Sequence, residues 1–313
     1  MKNPFELIFK LEKTTPSHIS FRIFGIKLNC LRASIKKERK KLAQYYQSFE
    51  NASDIPKAQG GLKLIQDANR GFLKAFDKIC EENNLRYWID FGTLLGAIRH
   101  GGFIPWDDDI DIAMPREDYE KLIENHTKYF ENEPNFKLSF ENNKKNKCFV
   151  KLSHKHSHNL FIDIFPYDFY HSNLNDEEKK ELSTKIDKVR KAKLKKKFKT
   201  IEEVRRNFKT ITTNYILDNK LPNNKNGAVF MAIDFPHGHK NKAMDYEDIF
   251  PLKKINFDGS ELLAPNNPQN ILKTLFGDYM KIPKDSYPRH SNYNNLEENE
   301  LTILNEYAKA EVK

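Results

Sequence analysis

The chain runs to 313 residues with 38% hydrophobic content, and 53 Lys and Arg against 44 Asp and Glu leave a formal net charge of +9 at neutral pH. Such a length supplies a core for one large domain or two and argues against a disordered or fibrous chain. Cys30, Cys80 and Cys148 are odd in number and lack any Cys-x-x-Cys spacing, which argues against a disulfide framework or a zinc ribbon and fits a reducing compartment.

No run of about 18 apolar residues offers a membrane span, and the opening Met1-Lys-Asn-Pro-Phe-Glu-Leu-Ile-Phe-Lys10 is broken by charge too early for a signal peptide. A cytoplasmic protein is expected, either free or at the inner face of the membrane. Residues 1–55 read as two strand-like pieces around Gly25 and then a basic helix from about Ser34 to Tyr46. Two readings stand for this segment: a hairpin packed on the rest of the chain, or an element for peripheral membrane contact, since apolar residues alternate there with Arg and Lys. The basic runs at 36–41 and 188–199 suit an anionic surface, although solvated lysine-rich helices are the commoner origin of such runs.

Ser53 to Gly61 reads as a linker, and residues 60–171 are expected to form the core domain. Ile65, Ala68, Phe72, Phe76 and Ile79 recur at helical spacing before Asn83-Asn84 ends that helix. The stretch from Tyr87 to Met114 then organises the rest as strand, turn, short helix, glycine stop and second strand. Thr93, after Gly92, is placed to cap a short helix through Leu94, Leu95, Ala97 and Ile98 whose free N–H groups suit a phosphate. Gly101-Gly102 closes that helix. Asp109, Ile110, Asp111 and Ile112 alternate with period two, so both carboxylates leave one face of a strand and both isoleucines enter the core. Two residues of strand set the aspartates roughly 6.5 Å apart. At an effective dielectric near 20 their repulsion is about 2 to 3 kcal/mol, which implies a compensating charge, and hard oxygen ligands favour Mg²⁺, with Mn²⁺ as the alternative.

Phe161-Ile-Asp-Ile-Phe-Pro166 is a short apolar strand ended by proline, in which a lone Asp163 would be costly to bury unpaired. If that strand lies beside the Asp109/Asp111 strand, three acids converge. Pro115 opens a helix anchored by Leu122, Ile123 and Tyr129. Cys148 to Leu152 and Leu160 to Phe165 flank His154-Lys-His-Ser-His158 as a hairpin with a polar tip. Zinc sites draw on two separated ligand pairs and no second Cys/His pair is obvious, so the histidines read as a tip rather than a metal site. Lys151 points either to solvent or along the cleft beside Asp163, where it would serve a phosphate as a point charge. Residues 172–225 read as a charged helical insertion. The remainder, 226–313, is the C-terminal part of the catalytic domain: a strand at Val229, loop histidines His237 and His239, strand-turn-strand around Asp258-Gly259, a helix from Pro268 and a closing amphipathic helix from about Asn295 to Val312.

A strand ending in Gly-Thr, a short helix, a strand with Asp-x-Asp and a later strand with a third Asp resemble the polymerase-β-like nucleotidyltransferase superfamily. The wording from Asp90 to Ile112 is narrower and resembles the LicD family, bacterial phosphocholine transferases related to the fukutin-related ribitol-phosphate transferases. The likeness is dense over 87–116 and looser through 161–166, Phe257-Asp-Gly, Ala264-Pro265 and Phe276 to Met280; it does not cover 1–55 or 172–225. It implies an α+β fold, a nucleotidyltransferase-like small mixed sheet flanked by helices, with the helical insertion and the basic N-terminal extension added. It also implies Mg²⁺-dependent transfer of a phospho-alcohol, phosphocholine or similar, from a CDP-activated alcohol donor to a hydroxyl of a cell-surface glycan or glycolipid. In that reading Asp109, Asp111 and Asp163 are the catalytic metal ligands, and Gly92, Thr93, Arg99, Trp106 and Lys151 are substrate-binding candidates. Asp90 and Asp107 stand in second line, and Trp106 is equally a pocket wall or a core aromatic. Two other readings stay open: nucleotidyl transfer from an NTP, and a non-catalytic basic surface-binding protein. The basic charge suits the first, yet no RNA-binding module accompanies it, so nucleic acid is not an expected partner. The intact Gly-Thr and Asp-x-Asp speak against the second.

Overall fold

A computed structural model of the chain describes residues 9–14, 18–23, 26–31, 33–142, 148–169, 175–177, 180, 184, 228–231, 244–284, 286–287, 293 and 296–309. Most of the expected insertion at 172–225 therefore lies outside the described residues, as do His237 and His239. The backbone separates into two compact units, 1–55 with 281–287 and 56–280 with 288–313.

In the first unit three strands, β1 (Phe9–Thr14), β2 (His18–Ile23) and β3 (Ile26–Leu31), form an antiparallel sheet in the order β1-β2-β3. This is one strand more than the hairpin expected from the sequence. The backbone register aligns Phe9, Ile23 and Ile26 in one row, Lys10, Arg22 and Lys27 in the next, and Leu11, Phe21 and Leu28 in the third. Apolar and basic rows alternate, the period-two pattern that favours strand over helix. Helix α1 (Ala33–Tyr46) follows. Its Ala43 and Tyr46 are buried, and Gln47 Nε2 just beyond it donates to the Pro283 carbonyl at 3.4 Å.

The second unit opens with α2 (Gly60–Glu82), whose apolar stripe runs through Ile65, Ala68, Phe72, Phe76 and Ile79, all buried. There follow β4 (Trp88–Ile89), α3 (Phe91–His100), β5 (Ile110–Pro115), α4 (Arg116–Tyr129), β6 (Phe136–Asn142), β7 (Cys148–His154) and β8 (Phe161–Phe169). After them come β9 (Ala228–Met231), β10 (Met244–Asp245), α5 (Tyr246–Ile249), β11 (Lys253–Phe257), β12 (Ser260–Ala264), α6 (Pro268–Phe276) and α7 (Glu298–Lys309). The main sheet is mixed, so the α+β expectation holds. β8 is its axis: one edge pairs in parallel with β5, while the other pairs antiparallel with β7 along its first half and with β9 along its second.

Register then decides the faces. Ile110 and Ile112 of β5 sit opposite Ile162 and Ile164 of β8, which sit opposite Leu152 and Val150 of β7. All six are fully buried and make one apolar layer; the intervening residues, Asp111, Asp163 and Lys151, occupy the other face. Arg116, at the start of α4, forks onto Asp168 of β8 with Nε at 2.8 Å and Nη2 at 2.9 Å. That pair is buried and bidentate, the arrangement in which an enclosed ion pair keeps its hydrogen bonds satisfied.

α7 closes the unit along α2, with Tyr307 set 5.4 Å from the Phe72 ring and Leu304 fully buried. The approach is so close that a Cβ on Gly71 would lie 2.1 Å from the Tyr307 carbonyl oxygen. Gly71→Ala is therefore expected to destabilise the protein by about 1 to 3 kcal/mol through overpacking. The loss should appear as a lower denaturation midpoint and as faster amide exchange in 298–309 than elsewhere; an unchanged midpoint would refute this packing.

Candidate active site

The parallel pairing of β5 with β8 places Asp111 directly opposite Asp163, and the antiparallel pairing of β7 places Lys151 opposite Asp163 on its other side. Asp109 stands one residue before β5. Carboxylate oxygens of Asp109, Asp111 and Asp163 all lie within 4.8 Å of one another, so the convergence expected from the sequence is present. At that separation each pair repels by about 3 kcal/mol or more at an effective dielectric near 20. Lys151 forms an ion pair with Asp163 Oδ1, and its ammonium lies 3.5 Å from the Phe161 ring centroid. Of the two positions open to it, Lys151 takes the cleft face. One ammonium does not balance three carboxylates. Enclosure of its carboxylate, then the charges of Asp109, Asp163, Asp107 and Asp90 in falling order, hold Asp111 well above the usual carboxylate range. Asp107, Asp108 and Asp109 form a second group with oxygens inside the same 4.8 Å limit, and Asp109 belongs to both.

An all-carboxylate donor set suits a hard dication. Mg–O bonds of about 2.1 Å in an octahedron put ligand oxygens roughly 3 to 4.2 Å apart, inside the observed limit, so Asp109, Asp111 and Asp163 fit such an ion. The histidine tip behaves differently. His154 is 5% exposed and its Nδ1 accepts from the His156 N–H at 3.2 Å; among the described residues no metal-competent cluster includes a histidine.

The amino end of α3 stands over the acids. Thr93 was expected to cap this helix, but the helix begins at Phe91 and Asp90 holds the N-cap position without a side-chain capping bond. The cause lies in the strand ladder. β4 ends at Ile89; Asp90 N–H still reaches the Asp111 carbonyl at 3.0 Å, and beyond it the Asp111 N–H has no strand partner on that edge. Thr93 Oγ1, from the first turn of α3, accepts that N–H at 2.8 Å. Thr93 thus fastens the acid-bearing strand. Phe91 adopts φ +43°, a left-handed conformation that costs a bulky residue on the order of 1 to 3 kcal/mol. Next to it, a Cβ on Gly92 would lie 2.8 Å from Asp107 Oδ2 and 3.8 Å from Asp111 Oδ2. Only glycine lets the helix approach the carboxylates this closely. Gly101, at φ +68°, ends α3 as expected.

Asp90 is fully buried beneath this turn. Tyr167 Oη donates to its Oδ2 at 2.5 Å, whereas its Oδ1 has no hydrogen-bond partner. Burial pushes its pKa up to about 6, against the opposing pull of the Tyr167 hydroxyl and the Phe91 N–H. At the other end of α3, about 9 Å along the axis from Thr93, Arg99 and Trp106 are brought to each other. The Arg99 guanidinium lies 5.9 Å from the Trp106 ring and donates through Nη1 to the Tyr279 carbonyl at 2.7 Å. Both are nearly buried, at 5% and 7% exposure. Burial lowers Arg99 to about 10 despite the opposing charge of Asp107.

Three positions escaped the sequence reading. Gln66 and Asn69 are buried amides on α2. Gln66 Nε2 donates to the carbonyls of Ile104 at 3.2 Å and Asp107 at 2.8 Å. Asn69 donates to the Asn159 carbonyl at 2.8 Å and accepts the Phe161 N–H at 3.2 Å. One helix therefore holds both acid-bearing segments. Their signal was available: two amides at i and i+3 beside a core stripe are out of pattern unless they have partners. The third is Asp258, in the turn between β11 and β12. Its N–H donates to the Gly101 carbonyl at 2.8 Å, and its Oδ2 accepts the Phe103 N–H at 3.1 Å. A Cβ on Gly102 would lie 2.1 Å from the Asp258 carboxyl carbon.

Comparison with known proteins gives consistent matches. Residues 84–212 match the family model described as LicD/FKTN/FKRP, nucleotidyltransferase domain. The lipopolysaccharide cholinephosphotransferase LicD of Haemophilus influenzae is 30% identical over 254 residues, which span 70% of this chain and 91% of that protein. The human ribitol 5-phosphate transferase FKRP is 32% identical over 94 residues, 28% of this chain and 18% of that protein. An uncharacterized protein of Rickettsia typhi is 37% identical over 117 residues, 32% of this chain and 34% of that protein.

Two outcomes follow from the electrostatics. Asp111→Asn keeps the side chain's shape and removes one charge from a self-repelling cluster, so in chelator its melting temperature at pH 7 should equal or exceed the parent's, while stabilisation by added Mg²⁺ or Mn²⁺ should shrink. A fall of several degrees in chelator would mark Asp111 as a structural ion-pair partner instead. For Asp90, a folded pKa of about 6 against an ordinary 3.8 means that the folded state holds the proton longer. The contribution of Asp90 to stability is then greatest below about pH 4 and falls by about 3 kcal/mol as pH rises through 6. Asp90→Asn should flatten that part of the stability profile, measured by urea titration from pH 4 to 7.5; a parallel profile would refute the shift.

Proposed function

The chain belongs to the LicD family and is a phosphotransferase, and on that premise we propose that it moves a phospho-alcohol from a CDP-activated donor to a hydroxyl of a cell-surface glycan or glycolipid. The observation that carries this reading is the convergence of Asp109, Asp111 and Asp163 oxygens within 4.8 Å beneath the amino end of α3. The names of the relatives support the class of reaction: one is a cholinephosphotransferase acting on lipopolysaccharide, another a ribitol 5-phosphate transferase.

In this reading the acceptor hydroxyl attacks the phosphorus that bears the alcohol. The bond from that phosphorus to the bridging oxygen breaks, a phosphodiester forms, CMP leaves, and a carboxylate of the cluster takes the hydroxyl proton. Asp109, Asp111 and Asp163 would hold Mg²⁺ or Mn²⁺, which supplies charge neutralisation for the donor's pyrophosphate. The chain's own residues do the positioning. Gly92 leaves room for phosphate oxygens beside the helix end, and the amides of Gly92 and Thr93, in the first helical turn, would be their donors. Thr93 Oγ1 keeps β5 in register. Lys151, held by Asp163, limits the repulsion that three carboxylates would otherwise present to an anionic donor. Arg99 and Trp106, nearly buried against each other, brace the far end of α3.

The test is incubation with CDP-choline, CDP-ribitol, CDP-glycerol and the four NTPs, with and without Mg²⁺, followed by nucleotide chromatography. CMP should appear from one CDP-alcohol only with the dication. Replacing Asp109, Asp111 or Asp163 by Asn should lower the rate by about a thousandfold or more, a barrier increase of about 4 kcal/mol. Pyrophosphate released from an NTP would replace this reading with nucleotidyl transfer.

A further inference from the structure

Within the first unit the 281–287 segment lies on α1, joined by the Gln47 to Pro283 hydrogen bond across 236 residues of sequence. Between them runs a groove of about 400 Å³ lined by Lys36, Arg39, Lys40, Gln47, Lys284 and Tyr287 among others. Four of its lining residues are cationic and none is acidic. Their placement opposes the helix's own stability. Lys36 and Lys40 are like charges at i and i+4, and Lys36 stands in the first turn, where the macrodipole is positive and acids are preferred; that turn contains no acid. The Arg39 guanidinium sits 4.8 Å from the Tyr287 ring, which fixes the direction of its donors. A cluster that costs the helix stability, is oriented by an aromatic and draws its fourth cation from the far end of the chain fits an external anion.

We propose that this groove docks the phosphate headgroups of an anionic phospholipid bilayer. Bilayer chemistry suits the surroundings better than a polynucleotide does. The groove has room for one or two phosphates rather than a tract of backbone. Tyr45, 49% exposed on the same helix, is a residue type favoured at the membrane–water interface, and apolar and basic rows alternate through β1, β2 and β3. The proposal stands apart from the transfer reaction, since binding is read without a donor.

The full chain is sedimented with phosphatidylcholine vesicles containing about 30% phosphatidylglycerol and with pure phosphatidylcholine vesicles, at low and high salt. The parent should bind the anionic vesicles only, and more weakly as salt rises. Joint replacement of Lys36, Arg39, Lys40 and Lys284 by Gln should weaken binding at least about tenfold. Lys78, Lys128, Lys253 and Lys254 are exposed, and replacing these four by Gln changes the net charge equally and should weaken binding less than about twofold. Lys284→Glu alone, remote in sequence from α1, should reproduce most of the loss, and it serves if the quadruple variant melts early. Equal weakening by both quadruple variants, no loss in Lys284→Glu, or displacement of the vesicles by a single-stranded oligonucleotide at equal phosphate would overturn the proposal.

Discussion

The parallel ladder between β5 and β8 is the constraint on which the site depends, because it holds Asp111 opposite Asp163 at a distance the two carboxylates would not choose. Backbone hydrogen bonds along six residue pairs, from Ile110 with Ile162 to Pro115 with Tyr167, fix that register. The apolar layer beneath supplies the driving force: Ile110, Ile112, Ile162 and Ile164 are fully buried. A one-residue slip would exchange the isoleucine and aspartate faces and forfeit several kcal/mol of burial per isoleucine pair, roughly 1.5 to 3 per side chain. Hydrophobic burial on one face thus offsets electrostatic repulsion on the other. Lys151 and the protonation bias of Asp111 relieve part of what is left.

A strand pair alone would not aim Asp109 or the loop that precedes it, and loops are the least determined parts of a chain. Here the loop is held from both sides. Gln66 grips the carbonyls of Ile104 and Asp107 from α2, while Asp258 grips Gly101 and Phe103 from the β11–β12 turn. The Gln66 amide is buried and the Asp258 carboxylate partly so, and each would be costly without partners, so their hydrogen bonds tolerate little displacement. That intolerance sets position, and position within about 1 Å is what transfer chemistry requires.

Charge is divided between the two units. The chain is basic overall, at +9, yet the site in the second unit gathers aspartates at 107, 108, 109, 111 and 163. An anionic donor would be repelled by such a pocket without a dication, and for that reason the carboxylate cluster and the metal belong to one reading. In the first unit four cations, Lys36, Arg39, Lys40 and Lys284, line one groove instead.

The sequence by itself determined the elements whose signal is local. Period-two alternation marked Asp109 and Asp111 as one face, 3.6-residue periodicity marked α2, and Asp258-Gly259 marked the hairpin turn, each because side-chain direction follows from the backbone conformation of a few neighbouring residues. Those same local rules placed the acids on strands and left open whether the strands were neighbours. Tertiary structure decided that, along with everything that depends on partners far apart in the chain. Thr93 was expected to cap α3, but it fastens the Asp111 amide because β4 stops one residue short. Lys151 had two directions available, and pairing with β8 chose one. Asp90 became a buried acid only when Tyr167, 77 residues later, came to cover it. No window of sequence contains both members of such a pair, so their energies exist only once the chain has closed around them.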